Sequence, residues 1–435
     1  MKKILAAAFL TISFSVCFGQ PANPQGPLER RAADVCALFS QNPGGYDKLF
    51  TPAFLEKVPA AQFTAIFTQY FSQLGPCTTT KITKRQTDFA ADFEFSFEKG
   101  YTVPATISVV AEAPNLIDGL WLGNATKSSG SLADIVSELK SLPGETSMLV
   151  VRLDSQGVAP LVAYNADREL AIGSAFKLYI LAELAREVDA NQRKLSDVVT
   201  LNDHAVSLPS GVLQTWPSGS PLTLHTLATF MISISDNTAA DQLLNILGRE
   251  RVEAMLVETK HAQPDLDKPF LSTLEMFKLK GEPTHKAADQ YLALDVNGRR
   301  RFLTEQIAAV KREDAKPYAD GKPAYIDRIE WFASANDLAR VMNWLRAKTE
   351  PGMAPAPLRE IMAINPGSGL NVSRERWNYI GYKGGSEPGV LNMTYLLESK
   401  KGQWYAMVIS WNNRDAALDN AKVFALVQRA LQIID

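Results

Sequence analysis

Two side chains three residues apart, the hydroxyl of Ser174 and the amine of Lys177, can do nucleophilic chemistry if they share one face of a helix. The run Ser174-Ala-Phe-Lys177 opens a segment in which Phe176, Ile180, Leu184 and Val188 recur every four residues, which predicts a helix with a buried face. On such a helix positions i and i+3 project from the same side, within reach of one hydrogen bond. A buried lysine has a lowered pKa and can take the hydroxyl proton, while the helix N-terminus favours an alkoxide. The chemistry implied is acyl transfer through a serine ester. Taken alone, the same residues also describe an N-cap serine followed by a surface lysine.

Two further runs stand out. Ser235-Asp236-Asn237 separates the apolar helical pattern Thr223–Ile234 from a second one ending at Leu247-Gly248, and by itself reads as a capped helix junction. Lys383-Gly384-Gly385-Ser386 sits within the strand pattern formed by Tyr379–Tyr382 and Val390–Leu397, ahead of a strand at Trp404–Trp411. A glycine pair alone signals a turn. An edge strand beside a nucleophile, however, can align a substrate and offer a backbone N–H to an oxyanion.

In this order, S-x-x-K, S-D-N and a lysine–glycine strand resemble the motif set of class A β-lactamases and penicillin-binding proteins. Ser235 follows Ser174 by 61 residues, close to the class A spacing, and Ser233-Ile-Ser-Asp-Asn-Thr-Ala-Ala240 is similar to the family's own surroundings. About residues 131–262 and 327–435 follow the pattern, including Ser334-Ala-Asn-Asp-Leu-Ala-Arg340, which resembles the family's late helix. The resemblance implies an α+β, β-lactamase/transpeptidase-like fold, a five-stranded antiparallel sheet against an all-helical subdomain with the site in the cleft between them. It also implies roles. Ser174 attacks, Lys177 takes its proton, Ser235 protonates the leaving nitrogen and Lys383 supports that relay while attracting a substrate carboxylate. Asp236 shapes the turn, Asn237 holds a substrate amide, Gly385 borders the substrate, and the N–H groups of Ser174 and Ser386 form the oxyanion hole.

The chain departs from the family in two places. Lys383 follows Ser235 by 148 positions, more than in ordinary class A enzymes, and the excess falls in residues 262–326, where helical patterns such as Arg301–Arg312 occur. The family places a deacylating glutamate there, yet no E-x-x-L-N is present. Glu275, in Phe270-Leu-Ser-Thr-Leu-Glu-Met-Phe277, is the nearest candidate base, or else an exposed helical carboxylate, and Ser272 is a candidate for lining the cleft. The second departure is Gly384, which lacks the hydroxyl the family offers to a β-lactam carboxylate. Arg414 is a candidate carboxylate clamp in compensation, or a surface arginine starting the last helix. These features, with an added N-terminal domain, resemble serine hydrolases of the kind ancillary to clavulanic acid biosynthesis. Three functions stay open: an exported serine hydrolase opening a β-lactam or related small ester or amide; a penicillin-binding D-Ala-D-Ala peptidase or esterase; and a binding protein that keeps the fold without turnover.

Length and composition bound the remainder. The 435 residues hold two domains. Residues 1–19 read as a secretory signal, with Lys2-Lys3 before an apolar run and a small-residue cleavage pattern at Cys17/Gly19, so a periplasmic or extracellular product without a stable membrane anchor is expected. Residues 20–123 read as a small α+β domain, with helices at 28–41 and 60–75 and strands near 78–85, 88–98, 101–111 and 117–122. In element order it resembles the cone-shaped domains related to nuclear transport factor 2 and ketosteroid isomerase. Residues 124–130 read as a linker and 131–435 as the hydrolase domain. Cys36 and Cys77 either pair in an oxidising compartment or stay as two buried thiols. A net charge of −2 argues against nucleic acid, and Arg299-Arg300-Arg301 reads as a solvated helix face. His204, His225, His261 and His285 lack metal-ligand spacing and no G-x-S-x-G elbow occurs, so neither metal nor organic cofactor is expected. Nothing in the composition speaks to oligomeric state.

Overall fold

A computed structural model describes residues 26–127, 130–154, 157–281, 286–367 and 376–434. The expected signal segment and His285 lie outside the described residues. The chain divides into two compact units, after Ser129.

In the first unit, helices α1 (Pro27–Leu38), α2 (Pro52–Lys57) and α3 (Ala60–Leu74) precede strands β1 (Cys77–Thr87), β2 (Ala90–Phe97), β3 (Tyr101–Val109), β4 (Ile117–Leu122) and the short β5 (Thr126–Lys127). The four long strands form an antiparallel meander in chain order, and β5 pairs with the start of β3. Strict alternation along β2 turns Ala91, Phe93, Phe95 and Phe97 inward. They meet Phe63 and Phe67 of α3, whose rings stack 4.5 Å apart, and Phe39 just beyond α1. Part of the expected linker is therefore sheet: Thr126 Oγ1 lies 3.2 Å from Thr102 Oγ1, an edge pairing that short polar side chains allow. Cys36 of α1 and Cys77 of β1 are joined as a disulfide, resolving the two alternatives left by their spacing.

The second unit begins with α4 (Leu132–Lys140), entered through a Ser131/Asp134 capping box, then β6 (Glu145–Asp154), β7 (Gly157–Tyr164) and the short β8 (Leu170–Ala171). A tight turn at Gly173–Phe176 leads into α5 (Lys177–Asp189), followed by β9 (Val198–Thr200), β10 (Pro221–Thr223), α6 (Leu224–Ser233), α7 (Asn237–Leu247) and α8 (Arg249–Glu258). Then come α9 (Thr273–Lys280), α10 (Lys286–Leu292), α11 (Val296–Phe302), the short β11 (Phe332–Ala333), α12 (Ala335–Lys348), α13 (Pro357–Met362), β12 (Trp377–Glu387), β13 (Val390–Ser399), β14 (Trp404–Asn412) and α14 (Asn420–Ile433). The expected helix Arg301–Arg312 is not formed as such: α11 ends at Phe302, the chain continues as a wide turn through Ile307, and Arg312 starts a separate short turn. Arg300 of the basic run is not merely solvated but pairs with Glu250 at 3.0 Å and with Glu253.

Strands β12, β13, β14, β6 and β7 form one antiparallel sheet in that spatial order. Alternate residues feed two cores. Met148, Val150, Met407 and Ile409 pack with α4 and α14, whereas Leu149, Val151, Leu396 and Val408 pack with α5, α12 and the helices beyond. This is the α+β sheet-and-helices architecture expected from the motifs. Helix α5 lies at the centre, so burial extends around the whole helix rather than along the single Phe176–Val188 stripe. The charges this buries are paired: Glu183 with Arg186, and Glu187 with Arg193 and Arg251.

Replacing Cys36 and Cys77 by serine opens a loop of 41 residues in the denatured chain. The expected result is a loss of about 2–4 kcal/mol from the first unit, read as a lower urea midpoint in hydrogen-exchange protection of residues 60–109, with the second unit unchanged.

Candidate active site

Three stretches far apart in sequence meet in a cleft of about 740 Å³. Ser174 stands in the turn ahead of α5, on a support of stacked rings: Phe176 lies against Trp331 with centroids 3.7 Å apart, and the Trp331 indole N–H donates to Leu271 O at 3.1 Å. One turn on, the Lys177 side chain is completely buried. The S-D-N stretch delivers Ser235 from the junction of α6 and α7, and β12 delivers Lys383.

Ser235 adopts a left-handed backbone, φ 57°, which costs a non-glycine residue roughly 1–3 kcal/mol and is held there by its neighbours. Its carbonyl accepts from Lys177 Nζ at 2.7 Å and from Ser210 Oγ at 2.8 Å. Asp236 supplies the restraint. One carboxylate oxygen accepts from Ala239 N at the start of α7, the other from Val212 N and Leu213 N, pinning the loop above. Gly211, with φ 103°, passes so close to that carboxylate that a β-carbon would collide with it.

The surroundings of Lys177 Nζ suit a neutral amine. Its two shortest contacts, at 2.7 Å, are to acceptor-only oxygens, Ser235 O and Asn237 Oδ1. Its two longer contacts, 3.3 Å to Ser174 Oγ and 3.2 Å to Ser235 Oγ, are to hydroxyls that can donate in return. A neutral amine has two N–H groups and one lone pair, which this set satisfies. Burial lowers the Lys177 pKa to about 7, partly opposed by Asp241 and Asp236. Lys383 is pushed down too, first by burial and then by Lys177. Lys383 Nζ reaches Ser235 Oγ at 3.1 Å and also Gly384 O, so the Ser235 hydroxyl bridges the two amines.

Strand β12 closes on the turn that carries Ser174 because two glycines permit it. A β-carbon on Gly385 would strike Ile172 O and Ser174 N, and one on Gly173 (φ 49°) would lie 3.0 Å from Ser386 N. The amide nitrogens of Ser174 and Ser386 thus flank one close approach of backbone to backbone, an arrangement in which two N–H donors can serve one oxyanion. The lysine–glycine run is strand, not turn.

The opposite wall comes from the segment after the second motif. Asp241 of α7 accepts from Thr273 N at 2.7 Å and Leu274 N at 2.9 Å, fixing the start of α9 so that Thr273, Met276 and Phe277 face the cleft. Beside them Lys280, fully buried, pairs with Glu330 at 2.8 Å and Glu387 at 2.6 Å, and Tyr318 donates to Glu387. Burial raises the Glu387 pKa well above the carboxylate range, as does the charge of Glu330.

Three expected site residues lie elsewhere. Glu275 forms a bidentate pair with Arg249, at 2.7 and 3.0 Å, and a capping box with Ser272, so both carboxylate oxygens are spent outside the cleft lining. Ser272 is the N-cap of α9, and the neighbouring Thr273 takes the cleft position instead. Arg414 is bonded to Asp327 at 3.0 Å and borders a separate depression with Glu145, Arg168 and Glu169. Asn237 does line the cleft, but its Oδ1 is committed to Lys177 and one Nδ2 proton to Leu208 O at 3.2 Å, which leaves one N–H for a substrate carbonyl. Sequence reading missed Ser210, Thr273, Tyr318, Tyr382 and Glu387. Of these only Tyr382, two residues from Gly384 on the same strand face, had a local signal.

Away from the cleft Glu169, His261 and Asp337 converge, with oxygen and nitrogen atoms within 4.8 Å of one another. Both His261 nitrogens are engaged, Nε2 with Phe332 O at 2.9 Å and Nδ1 with Gln263 N at 3.1 Å, and Asp337 pairs with Arg340. With no free imidazole lone pair, the cluster reads as a buried ion-pair network. Among the described residues, no helix is long and apolar enough to cross a membrane.

Residues 130–431 match the model of the "Beta-lactamase enzyme family". No curated relative matches the chain. Among solved structures, a β-lactamase from Sphaerobacter thermophilus is similar at 21% identity and TM-score 0.48, with 69% of this chain and 95% of that one covered. PBP-A gives 17%, 0.47, 69% and 96%. A β-lactamase from Francisella tularensis gives 12%, 0.49, 69% and 97%.

Lys177 acts as a base only when neutral, so acylation of Ser174 should rise with pH through about 7 and fall away below it. Lys177→Ala should slow acylation by about 10²–10⁴-fold and abolish that limb, measured as adduct formation rate between pH 5 and 9 alongside thermal unfolding. Glu275→Gln should leave acylation and deacylation within about twofold while lowering stability by about 1–2 kcal/mol, read by denaturant titration.

Proposed function

The chain belongs to the β-lactamase enzyme family, and on that premise we propose that it is a serine hydrolase that opens a β-lactam or a related small ester or amide through an acyl-enzyme on Ser174. Ser174 Oγ attacks the carbonyl carbon as its proton passes to the Lys177 amine. The oxyanion that develops faces the N–H groups of Ser174 and Ser386. Collapse of the tetrahedral adduct breaks the bond to the leaving nitrogen or oxygen, which takes a proton from Ser235 Oγ. The 3.2 Å contact to Lys177 and the 3.1 Å contact to Lys383 support reprotonation of Ser235 from that side. The observation that carries this reading is the set of four oxygens around Lys177 Nζ, two obligate acceptors and two hydroxyls.

Release of the acyl group is proposed to be slow. Among the described residues, the one carboxylate lining the cleft is Glu387, and it is tied to Lys280 and Tyr318. Water without a free base loses a factor of roughly a hundred or more. The same observation favours a second reading, a penicillin-binding D-Ala-D-Ala peptidase, in which a long-lived penicillin adduct is the expected state. Export is part of the proposal, supported by the charged start and apolar run of residues 1–19.

Purified protein and its Ser174→Ala variant, mixed with a chromogenic cephalosporin, a p-nitrophenyl ester and an acyl-D-Ala-D-Ala peptide, test these readings by absorbance and intact mass. The expected outcome is one acyl adduct per chain, a burst followed by slow turnover, and neither in the variant. Release of D-alanine supports the peptidase. Absence of adduct and turnover with every donor overturns the hydrolase reading.

A further inference from the structure

Beside β8, the strand that leads to Ser174, a group of buried carboxylates is short of positive charge. Glu169 directly precedes β8, Asp267 closes the turn Pro264–Asp267, Asp337 lies in the first turn of α12, and Tyr179 comes from α5. Asp337 is saturated: it accepts from Ala262 N at 2.8 Å and Ser334 N at 2.9 Å, and it pairs with Arg340. Asp267 accepts from Phe332 N at 2.8 Å through one oxygen. Its other oxygen, on a side chain only 1% exposed, has no hydrogen-bond partner among the described residues, and neither has the buried Tyr179 hydroxyl. Glu169, its oxygens shielded from solvent, faces Asp337 and the Ser334 backbone. His261 lies among them and cannot supply the missing charge. Gln263 N donates to its Nδ1 at 3.1 Å, so the ring is neutral and its Nε2 proton goes to Phe332 O at 2.9 Å. Arg340 is then one cation against three carboxylates.

Protonation alone leaves the group unsatisfied. A proton on the free Asp267 oxygen would have no acceptor, and the Tyr179 O–H has none, whereas buried polar groups are rarely left so. These oxygens gather around one imidazole. Asp267 Oδ2 lies 3.8 Å from Nε2, Glu169 brings an oxygen within 4.8 Å of a ring nitrogen, and the Tyr179 and His261 ring centroids are 5.9 Å apart. The charges of all three carboxylates reach the phenol. Glu169 also borders the depression of about 670 Å³ next to Arg414, where Glu145, Glu169, Asp327 and Asp415 outnumber Arg168 and Arg414. A hydrated cation thus has an acidic way in.

We propose that this group holds one calcium ion, with Glu169 and Asp267 as charged ligands, the Tyr179 hydroxyl as a neutral one and water completing the shell. Three carboxylates against one guanidinium leave two charges to neutralise, which a divalent ion does. An oxygen donor set without a free imidazole lone pair suits a hard cation. Calcium takes about six to eight oxygens in flexible geometry, whereas magnesium demands a near-ideal octahedron that this scattered set does not offer. The ion ties α5 and the strand leading to Ser174 to the turn before α9. It acts as a staple and takes no part in making or breaking bonds at Ser174.

The full chain, stripped with EDTA and gel-filtered, is titrated with calcium chloride, and separately with magnesium chloride, by calorimetry and thermal unfolding. One calcium per chain is expected, with Tm raised by about 3 °C or more once calcium exceeds its Kd about a hundredfold. Magnesium should give no comparable shift. Tyr179→Phe and Asp267→Asn each remove one donor with little change of shape and should weaken calcium binding about 10- to 100-fold. Should Asp267→Asn fail to fold, Tyr179→Phe and the wild-type titration still decide the matter. Absence of calcium binding by the stripped wild type overturns the proposal, as does binding that Tyr179→Phe and Asp267→Asn both leave unchanged. Magnesium binding in place of calcium overturns the choice of ion. Glu169→Gln and Asp267→Asn that stabilise the chain with no calcium response at all would mean that protons and water fill the group, and would overturn it too. None of these readouts involves Ser174, so the result is independent of the acyl-enzyme reading.

Discussion

Removing an amine from water costs far more than a single surface contact returns, and the site depends on making that removal complete for Lys177. Burial on all sides of α5 lowers the pKa into the neutral range, and Asp236 and Asp241 keep it from falling further. Both carboxylates also hold backbone: Asp236 the start of α7 and the loop at 212–213, Asp241 the start of α9. The two side chains that temper the shift at Lys177 thus also shape the cleft. The left-handed Ser235 belongs to this arrangement, and in that backbone conformation its carbonyl and hydroxyl both reach Nζ.

The second constraint is close approach of backbone to backbone. Gly173 and Gly385 let β12 lie against the turn that carries Ser174, and a side chain at either would push apart the backbone at Ser174 and Ser386. Gly384 answers a different need, making room for the Tyr382 phenol. The three glycines therefore have three reasons, and only at Gly173 is one of them conformational.

The wall opposite β12 is held by a buried Lys280–Glu330–Glu387–Tyr318 network. Such networks contribute little net stability but are costly to leave half-made, so they define position sharply. Here the network fixes the end of β12 relative to α9 and occupies the carboxylate closest to the cleft.

Much of this was legible in the sequence, because the relevant signals are local. Strand-like runs at β2, β13 and β14, the aromatic stripe of α3, and three polar motifs set in apolar surroundings pointed to the sheet, the helices and the stretches that bring Ser174, Lys177, Ser235 and Lys383 together. What sequence could not decide was where side chains with several available partners would spend them. Glu275 met Arg249, Arg414 met Asp327, and Glu387 met Lys280 across 107 positions. Cys36 and Cys77 had two outcomes until α1 packed on β1. Type and spacing determine what a residue can do within one turn or one strand. Which long-range partner saturates it, and hence whether it stays free for chemistry, is settled only when packing brings distant elements within hydrogen-bond range.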